Sequence, residues 1–424
     1  MGGGLLRQIV FARADPLTPM PEFTSLSQIQ VPVLGNSLAI GIVSLLHIAF
    51  AGLAVGLMLL APLMEAFGRS NSLYLETAHS MTRFTLVTYT TSTVLAVIMA
   101  ELFIGLFPQT NTWLFNQFRA PILVAIAAFL LQLFLLYPYY HYWEPIRAKS
   151  PGAHLMMGAS AAALMLVWVS VLDGIGSYML TPITEPGYWS RLLNPTWAPL
   201  VIHRLGGDFV LSGYAVAGYG AWRLGSQSED ADKLYYRGLL QIGVVVGLGG
   251  LLLQPFTGLL YALSIERSAP SAYAQLIKGS YQPLVYVQFC LVALLFVGTH
   301  AVLRSARTTP ASLVWTQAAL WTSAALMIAS VGYPDIRRLF TFLLIALTGY
   351  VAYQWRNLFV PNVPHRWDRP LVRGISIALA VTGLLTYWTM GTIRETARHP
   401  DTVRGILSLT DGRDTHSSFS EGRR

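Results

Sequence analysis

Ten apolar stretches, each close to the length needed to cross a membrane, follow one another through almost the whole chain. About 20 apolar residues in a helix span the hydrocarbon core. Only 11% of the 424 residues are charged and 54% are hydrophobic, which leaves too little polar surface for a water-exposed globule. We therefore predict an all-α integral membrane protein with about ten transmembrane helices in antiparallel bundles. The stretches are 37–65, 84–107, 118–141, 154–181, 199–222, 238–262, 281–303, 311–331, 337–355 (the shortest) and 372–391.

The spans together form one polytopic transmembrane domain, residues 35–391, flanked by two short end segments. Residues 1–34 carry Arg13 and Asp15 inside their only apolar run, which predicts an extracytoplasmic arm and not a cleavable signal peptide. Residues 392–424 are rich in Gly, Ser, Asp and Arg, which predicts a polar tail.

Loop charge predicts the orientation of these helices. Alternate loops carry thirteen Lys and Arg residues, and the opposite loops carry seven. The first set is therefore cytoplasmic, and both termini of a ten-span chain are extracytoplasmic. The formal charge of +8 is spread over these short loops, so we predict no nucleic-acid partner. The thirteen are Arg69, Arg83, Arg147, Lys149, Arg223, Lys233, Arg237, Arg304, Arg307, Arg356, Arg366, Arg369 and Arg373.

Cysteine usage limits the cofactors that the chain can hold. Cys290 is the single cysteine of the sequence, so the chain can form neither an internal disulfide nor a C-x-x-C-H haem attachment. A covalently bound c-type haem would have to be carried by a partner chain.

Two histidines lie within apolar stretches, where an ionisable side chain is energetically costly unless it is paired or hydrated. His47 lies in the first stretch and His203 begins the fifth, so both are expected at similar depth in the outer leaflet. A neutral imidazole can bind haem iron through one nitrogen, although it can also simply bond to a neighbouring helix. The nearby glycines would leave room for a flat macrocycle or permit close helix packing: Gly52, Gly56, Gly206 and Gly207.

Several carboxylates accompany these histidines. Glu101, towards the outer end of the second stretch, is predicted to be a proton-relay group or a haem neighbour. Arg204 and Asp208 are four residues apart and could pair with each other. Glu65, at the cytoplasmic end of the first stretch, is expected to be interfacial. A surface or interfacial position is expected for the other histidines, His79, His141, His154, His300, His365, His399 and His416.

Residues 36–262 resemble subunit I of the cytochrome bd quinol oxidases. The resemblance rests on His47 with Met64-Glu65, on Glu101, on Ala120-Pro121, which is expected to open the third helix, and on Leu193-Asn194-Pro195 before His203. It implies b-type haem, with His47 ligating a haem of the high-spin pair and His203 a low-spin haem. It also implies a homologous second membrane subunit and a place in the bacterial cytoplasmic (inner) membrane.

The sequence departs from this family's pattern at several functional positions. Leu291 occupies the place of the methionine that completes the low-spin haem. Ala125 and Gln132 stand where the family's third helix has acidic residues, and the external loop is shortened to 263–280.

These departures leave four functions open. The first is a haem-b electron-transfer subunit that exchanges electrons with quinol or a periplasmic c-type cytochrome. The second is a quinol:oxygen oxidoreductase that recruits Met179, Met327 or His300 as a ligand. The third is a haem-free scaffold of a respiratory complex. The fourth is a transporter, against which stands the lack of a visible inverted repeat.

Overall fold

A computed structural model describes residues 29–183, 187–278, 282–307, 314–359 and 366–396. All regular structure in these ranges is helical. Most of the arm (residues 1–34), most of the tail (residues 392–424) and His365, His399 and His416 lie outside them.

The ten apolar stretches correspond one for one to ten long helices in the described ranges. Eight of these are long and apolar enough to cross a membrane, which confirms the predicted fold class. Thirteen α-helices are labelled in chain order: α1 Asn36–Phe67, α2 Ser72–Leu106, α3 Pro108–His141, α4 Trp143–Lys149, α5 Pro151–Leu180, α6 Tyr188–Leu192, α7 Trp197–Leu224, α8 Asp230–Ser268, α9 Pro270–Lys278, α10 Gln282–Ala306, α11 Val314–Ala329, α12 Pro334–Gln354 and α13 Pro370–Thr396.

Helices α7 and α11 are the two long helices outside that group of eight. Helix α7 carries His203, Arg204 and Asp208, which lower its hydropathy. Within the described ranges, helix α11 has 16 residues and α12 has 21.

Proline and capping residues explain several helix boundaries. Pro108, Pro151 and Pro334 occupy first-turn positions, where a missing N–H removes no hydrogen bond. The Ser150 side chain accepts a hydrogen bond from Ala153 N at the start of α5. Pro121, in contrast, lies inside α3, just after a kink at Phe118. Phe118 has non-helical backbone angles (φ −129°, ψ 20°), so α3 consists of two helical segments, and Ala120-Pro121 opens the second of them, as expected from the sequence.

Helices α7 and α8 pack closely against each other, and they run antiparallel. A Cβ atom added at Gly213 would lie 2.6 Å from Gly247 Cα, and one at Gly243 would lie 2.7 Å from Ala217 Cα. Glycine at both positions lets the two backbones approach closely. Tyr214, on α7, is fully buried in a core that this pair shares with α10–α13. Another core is formed mainly by α1, α2, α3 and α5.

Candidate functional site

Helices α1 and α7 run parallel in direct contact. A Cβ atom at Gly52 would lie 3.0 Å from Asp208 Oδ1, and one at Gly56 would meet Ser212 Oγ. The residue numbers differ by 156 in both contacts (208 minus 52, 212 minus 56), so the two helices advance together in a single register.

The same register places His47 level with His203, since these two numbers also differ by 156. Both lie about 7 Å along the axis from the Gly52–Asp208 contact, at 1.5 Å per residue. The matched depth expected from the sequence is therefore present in the fold. Both imidazoles are half-buried.

The His47 ring is oriented by helix α2. Its Nδ1 lies 3.0 Å from the Ser92 carbonyl oxygen and 3.3 Å from Ser92 Oγ. A carbonyl oxygen only accepts, so Nδ1 carries the proton and donates. This fixes the tautomer that presents a free lone pair on Nε2, as metal-binding histidines require.

The His203 ring is oriented by helix α8. Its Nδ1 lies 3.2 Å from Thr257 Oγ1, and the Gln254 amide donates to the His203 carbonyl at 3.0 Å. The Tyr261 ring stacks at 6.0 Å between centroids. A Cβ atom at Gly258 would lie 3.1 Å from His203 Cε1, so glycine provides the space for the imidazole here.

These environments fit haem ligation by each histidine. Both engage Nδ1 with a neighbouring helix, which leaves Nε2 as the nitrogen that could bind iron. The four glycines near them lie against other helices: Gly52 against Tyr387, Gly56 against Ser212, and Gly206 and Gly207 against Gln254. Of the two roles left open for these glycines, close helix packing is the one seen.

Glu101 is not brought to His47. It lies nine residues after Ser92 on α2, which is two and a half turns, so it points away from the face that contacts His47. Its side chain is exposed. A second contact between α1 and α2, from Ser44 Oγ to Met99 Sδ at 3.2 Å, lies on the Ser92 face as well.

A buried charge network adjoins the two histidines and joins three helices. Arg204 Nη1 lies 3.1 Å from both carboxylate oxygens of Asp173, whereas Arg204 Nε lies 3.9 Å from Asp208 Oδ2. Tyr387, on α13, donates a 2.6 Å hydrogen bond to Asp208 Oδ1. The main partner of Arg204 is thus Asp173, and the expected pair with Asp208 is only a long contact. The sequence could not identify this partner, because Asp173 and Arg204 lie on different helices.

A second buried cluster ties the opposite ends of α1, α3 and α5 together. Glu65 is 4% exposed and His154 is fully buried. Glu65 Oε1 lies 2.7 Å from His154 Nδ1, and Glu65 Oε2 accepts a 2.7 Å hydrogen bond from the Tyr139 hydroxyl. Glu65 and His154 both lie near helix ends, as expected, but they are buried in contacts between helices and are not exposed at a surface.

His300 and Met327, two of the alternative haem ligands, both lie inside the helix bundle. His300 is buried, again against expectation, and Met327 lies in an apolar core. Thr299 is hydrogen-bonded to Tyr214 at 2.6 Å, and Tyr214 lies about 16 Å along α7 from His203. His300 is therefore too far along the bundle to share one iron with His203.

Leu291, Ala125 and Gln132 stand where the sequence departs from the family's pattern, and none of them has a carboxylate. Leu291 is half-buried, and Gln288, one turn before it, is buried with Oε1 free of hydrogen bonds to the described residues. Ala125 is buried. Gln132 is also buried and accepts a 2.6 Å hydrogen bond from Trp168 Nε1.

Asn194 positions the start of the His203 helix. Its Nδ2 donates to Ser177 Oγ at 2.8 Å and to the Gly174 carbonyl at 3.2 Å, both on α5. Its Oδ1 accepts from Thr196 N and from the Thr181 hydroxyl. The Leu193-Asn194-Pro195 motif thus holds α7 against α5.

Comparisons with known proteins agree with this architecture. The family model for cytochrome bd terminal oxidase subunit I matches residues 37–421. The structure of the bd oxidase from Geobacillus thermodenitrificans is similar, with a TM-score of 0.57, 16% sequence identity and 90% of each chain covered. At this identity the likeness shows the fold alone. No curated protein sequence matches the chain. Because the family model spans most of the sequence, this chain belongs to the cytochrome bd terminal oxidase subunit I family.

Proposed function

We propose that this membrane subunit binds b-type haem through His47 and His203 and transfers electrons between a donor and an acceptor in a respiratory complex. The observation that carries the proposal is the parallel α1–α7 register with two level histidines. Each ring is held at Nδ1 by another helix. A b-type haem ligated this way supplies one-electron redox chemistry.

The protein's own contribution is orientation and charge. Ser92 and Thr257 fix the imidazole planes, and Asn194 holds the helix that carries His203. The Asp173–Arg204–Asp208 network provides buried charges beside the two rings. Glu101 stays a prediction as a proton-accessible carboxylate, on the face of α2 opposite His47.

The proposal includes partners and location. A homologous second membrane subunit would complete the complex, and quinol or a periplasmic c-type cytochrome would exchange electrons with it. The complex would lie in the bacterial inner membrane with both termini of this chain outside. Native mass spectrometry of the purified complex tests the partners, and alkaline phosphatase fusions at each terminus test the orientation.

A reduced-minus-oxidised spectrum with pyridine haemochrome quantitation on the purified complex tests haem binding. We expect His203→Ala and His47→Ala each to reduce b-haem content, whereas His141→Ala, at an exposed site, leaves it unchanged. Unchanged content in both ligand variants would contradict ligation by these histidines, whereas absence of b-type haem from this subunit would favour the haem-free scaffold. Quinol-dependent oxygen uptake would instead support the quinol:oxygen oxidoreductase.

A further inference from the structure

We propose that Asp208 is the intramembrane proton acceptor of this site: one proton binds its free oxygen, Oδ2, when one electron reaches the haem beside it. The inference rests on the proposed haem ligation. It assigns to Asp208 the role that the sequence predicts for Glu101.

The first support is an incomplete set of hydrogen bonds. Asp208 is fully buried. Tyr387 satisfies Oδ1 at 2.6 Å, but Oδ2 has no hydrogen-bond partner among the described residues. Its nearest cation, Arg204 Nε, lies 3.9 Å away, beyond hydrogen-bond distance. A buried, unsatisfied carboxylate oxygen requires an explanation, and an oxygen that takes up a proton provides one.

The second support is the charge balance. Arg204 supplies one positive charge, whereas Asp173 and Asp208 supply two negative charges when ionised. Arg204 forms the shorter contacts with Asp173, so the excess negative charge falls on Asp208. A buried net charge is costly, and one proton on Asp208 would neutralise the cluster.

The third support is position. Asp208 touches α1 at Gly52, five residues from His47 on that helix and five from His203 on its own. The ionisable groups around Asp208 are Arg204 on α7, Asp173 on α5, Tyr387 on α13, and the two histidines. Helix α8 presents the neutral amide of Gln254 beside Gly206 and Gly207. Among the described carboxylates, Asp208 and Asp173 are the ones in this cluster, and Arg204 already pairs with Asp173.

The balance of the step is simple. One proton from the aqueous phase would form the Oδ2–H bond of Asp208 when one electron from quinol or a cytochrome reaches a haem that His47 or His203 would hold. Reoxidation releases both. The added negative charge is thereby compensated within the low-dielectric interior.

Potentiometric titration of the haem in the purified complex, at several pH values, tests the inference. One proton per electron gives a midpoint potential that falls by about 59 mV per pH unit, the equivalent of a tenfold change in proton activity. We expect Asp208→Asn to abolish this slope. Glu101→Gln should retain it, and so should the matched control Asp335→Asn, at an exposed outer carboxylate.

Three results would overturn the inference: a pH-independent potential in the unsubstituted complex, a slope retained in Asp208→Asn, or a slope lost in Glu101→Gln. If Asp208→Asn does not fold, Tyr387→Phe serves in its place. We then expect a carboxylic acid C=O band in the reduced-minus-oxidised infrared spectrum, and we expect Tyr387→Phe to shift its frequency. An absent or unshifted band would overturn the inference. Absence of b-type haem from the unsubstituted protein would instead refute the proposed function.

Discussion

The Tyr387 hydroxyl donates a 2.6 Å hydrogen bond to Asp208 Oδ1 and thereby joins the last long helix to the helix of His203. A hydrogen bond to a charged group stabilises a protein by about 1.5–3 kcal/mol. We expect Tyr387→Phe to lower the free energy of unfolding by about that amount, because Asp208 would lose its only close donor among the described residues. Unfolding titrations in detergent check this. The control is Tyr350→Phe, at an exposed tyrosine, and an equal effect in both variants would contradict the prediction.

Close packing of α1 on α7 makes Gly56 intolerant of a side chain. An added Cβ would meet Ser212 Oγ and lie 2.6 Å from the Asp208 carbonyl oxygen. Overpacking typically costs about 1–3 kcal/mol, so we expect Gly56→Ala to destabilise the protein and lower haem content. Gly41→Ala, on the same helix with open space around it, should be neutral or slightly stabilising. Thermal unfolding of the pair of variants measures the difference, and equal melting temperatures would argue against tight contact.

The Glu65–His154 pair should be a major stabilising contact of the first bundle. His154 Nε2 donates to the Tyr139 carbonyl at 3.1 Å, and Nδ1 lies 2.7 Å from Glu65 Oε1, so both ring nitrogens are hydrogen-bonded at a buried position. Removing one member of a buried pair costs about 3–5 kcal/mol. We expect Glu65→Leu and His154→Leu each to be strongly destabilising.

A double-mutant cycle checks this pair, because the double variant should lose less than the sum of the two single losses. Lys233→Ala, which removes an exposed ion pair with Asp230, is the control and should have no measurable effect. Additive losses in the cycle would show that Glu65 and His154 do not interact.

Asn194 should control the placement of His203. Asn194→Ala removes the donors to Gly174 and Ser177 and leaves buried groups unsatisfied, which costs about 1–3 kcal/mol for each group. Asn194→Asp keeps the acceptor for Thr196 but loses both donors. We expect haem content, measured as pyridine haemochrome, to be highest in the wild-type protein, lower in Asn194→Asp and lowest in Asn194→Ala. Full haem content in the Ala variant would show that α7 is positioned without this motif.

The sequence by itself determined the helical membrane fold and the level of the two candidate ligands relative to each other. Apolar length specifies a span, because backbone groups in lipid must be satisfied within a helix. Counting along two spans that start on the same side therefore anticipated that His47 and His203 lie level. The single cysteine likewise excludes a C-x-x-C-H haem attachment within this sequence.

Only the tertiary structure decided which side chains meet. Glu101 shares a helix with Ser92 but points the other way, whereas Glu65 turned inward to His154 and Tyr139. Arg204 reached Asp173 on another helix in preference to Asp208 on its own. The physical reason is that periodicity along one helix tells which residues share a face, but not which neighbouring helix that face contacts. Buried charges acquire their partners only when the helices have packed.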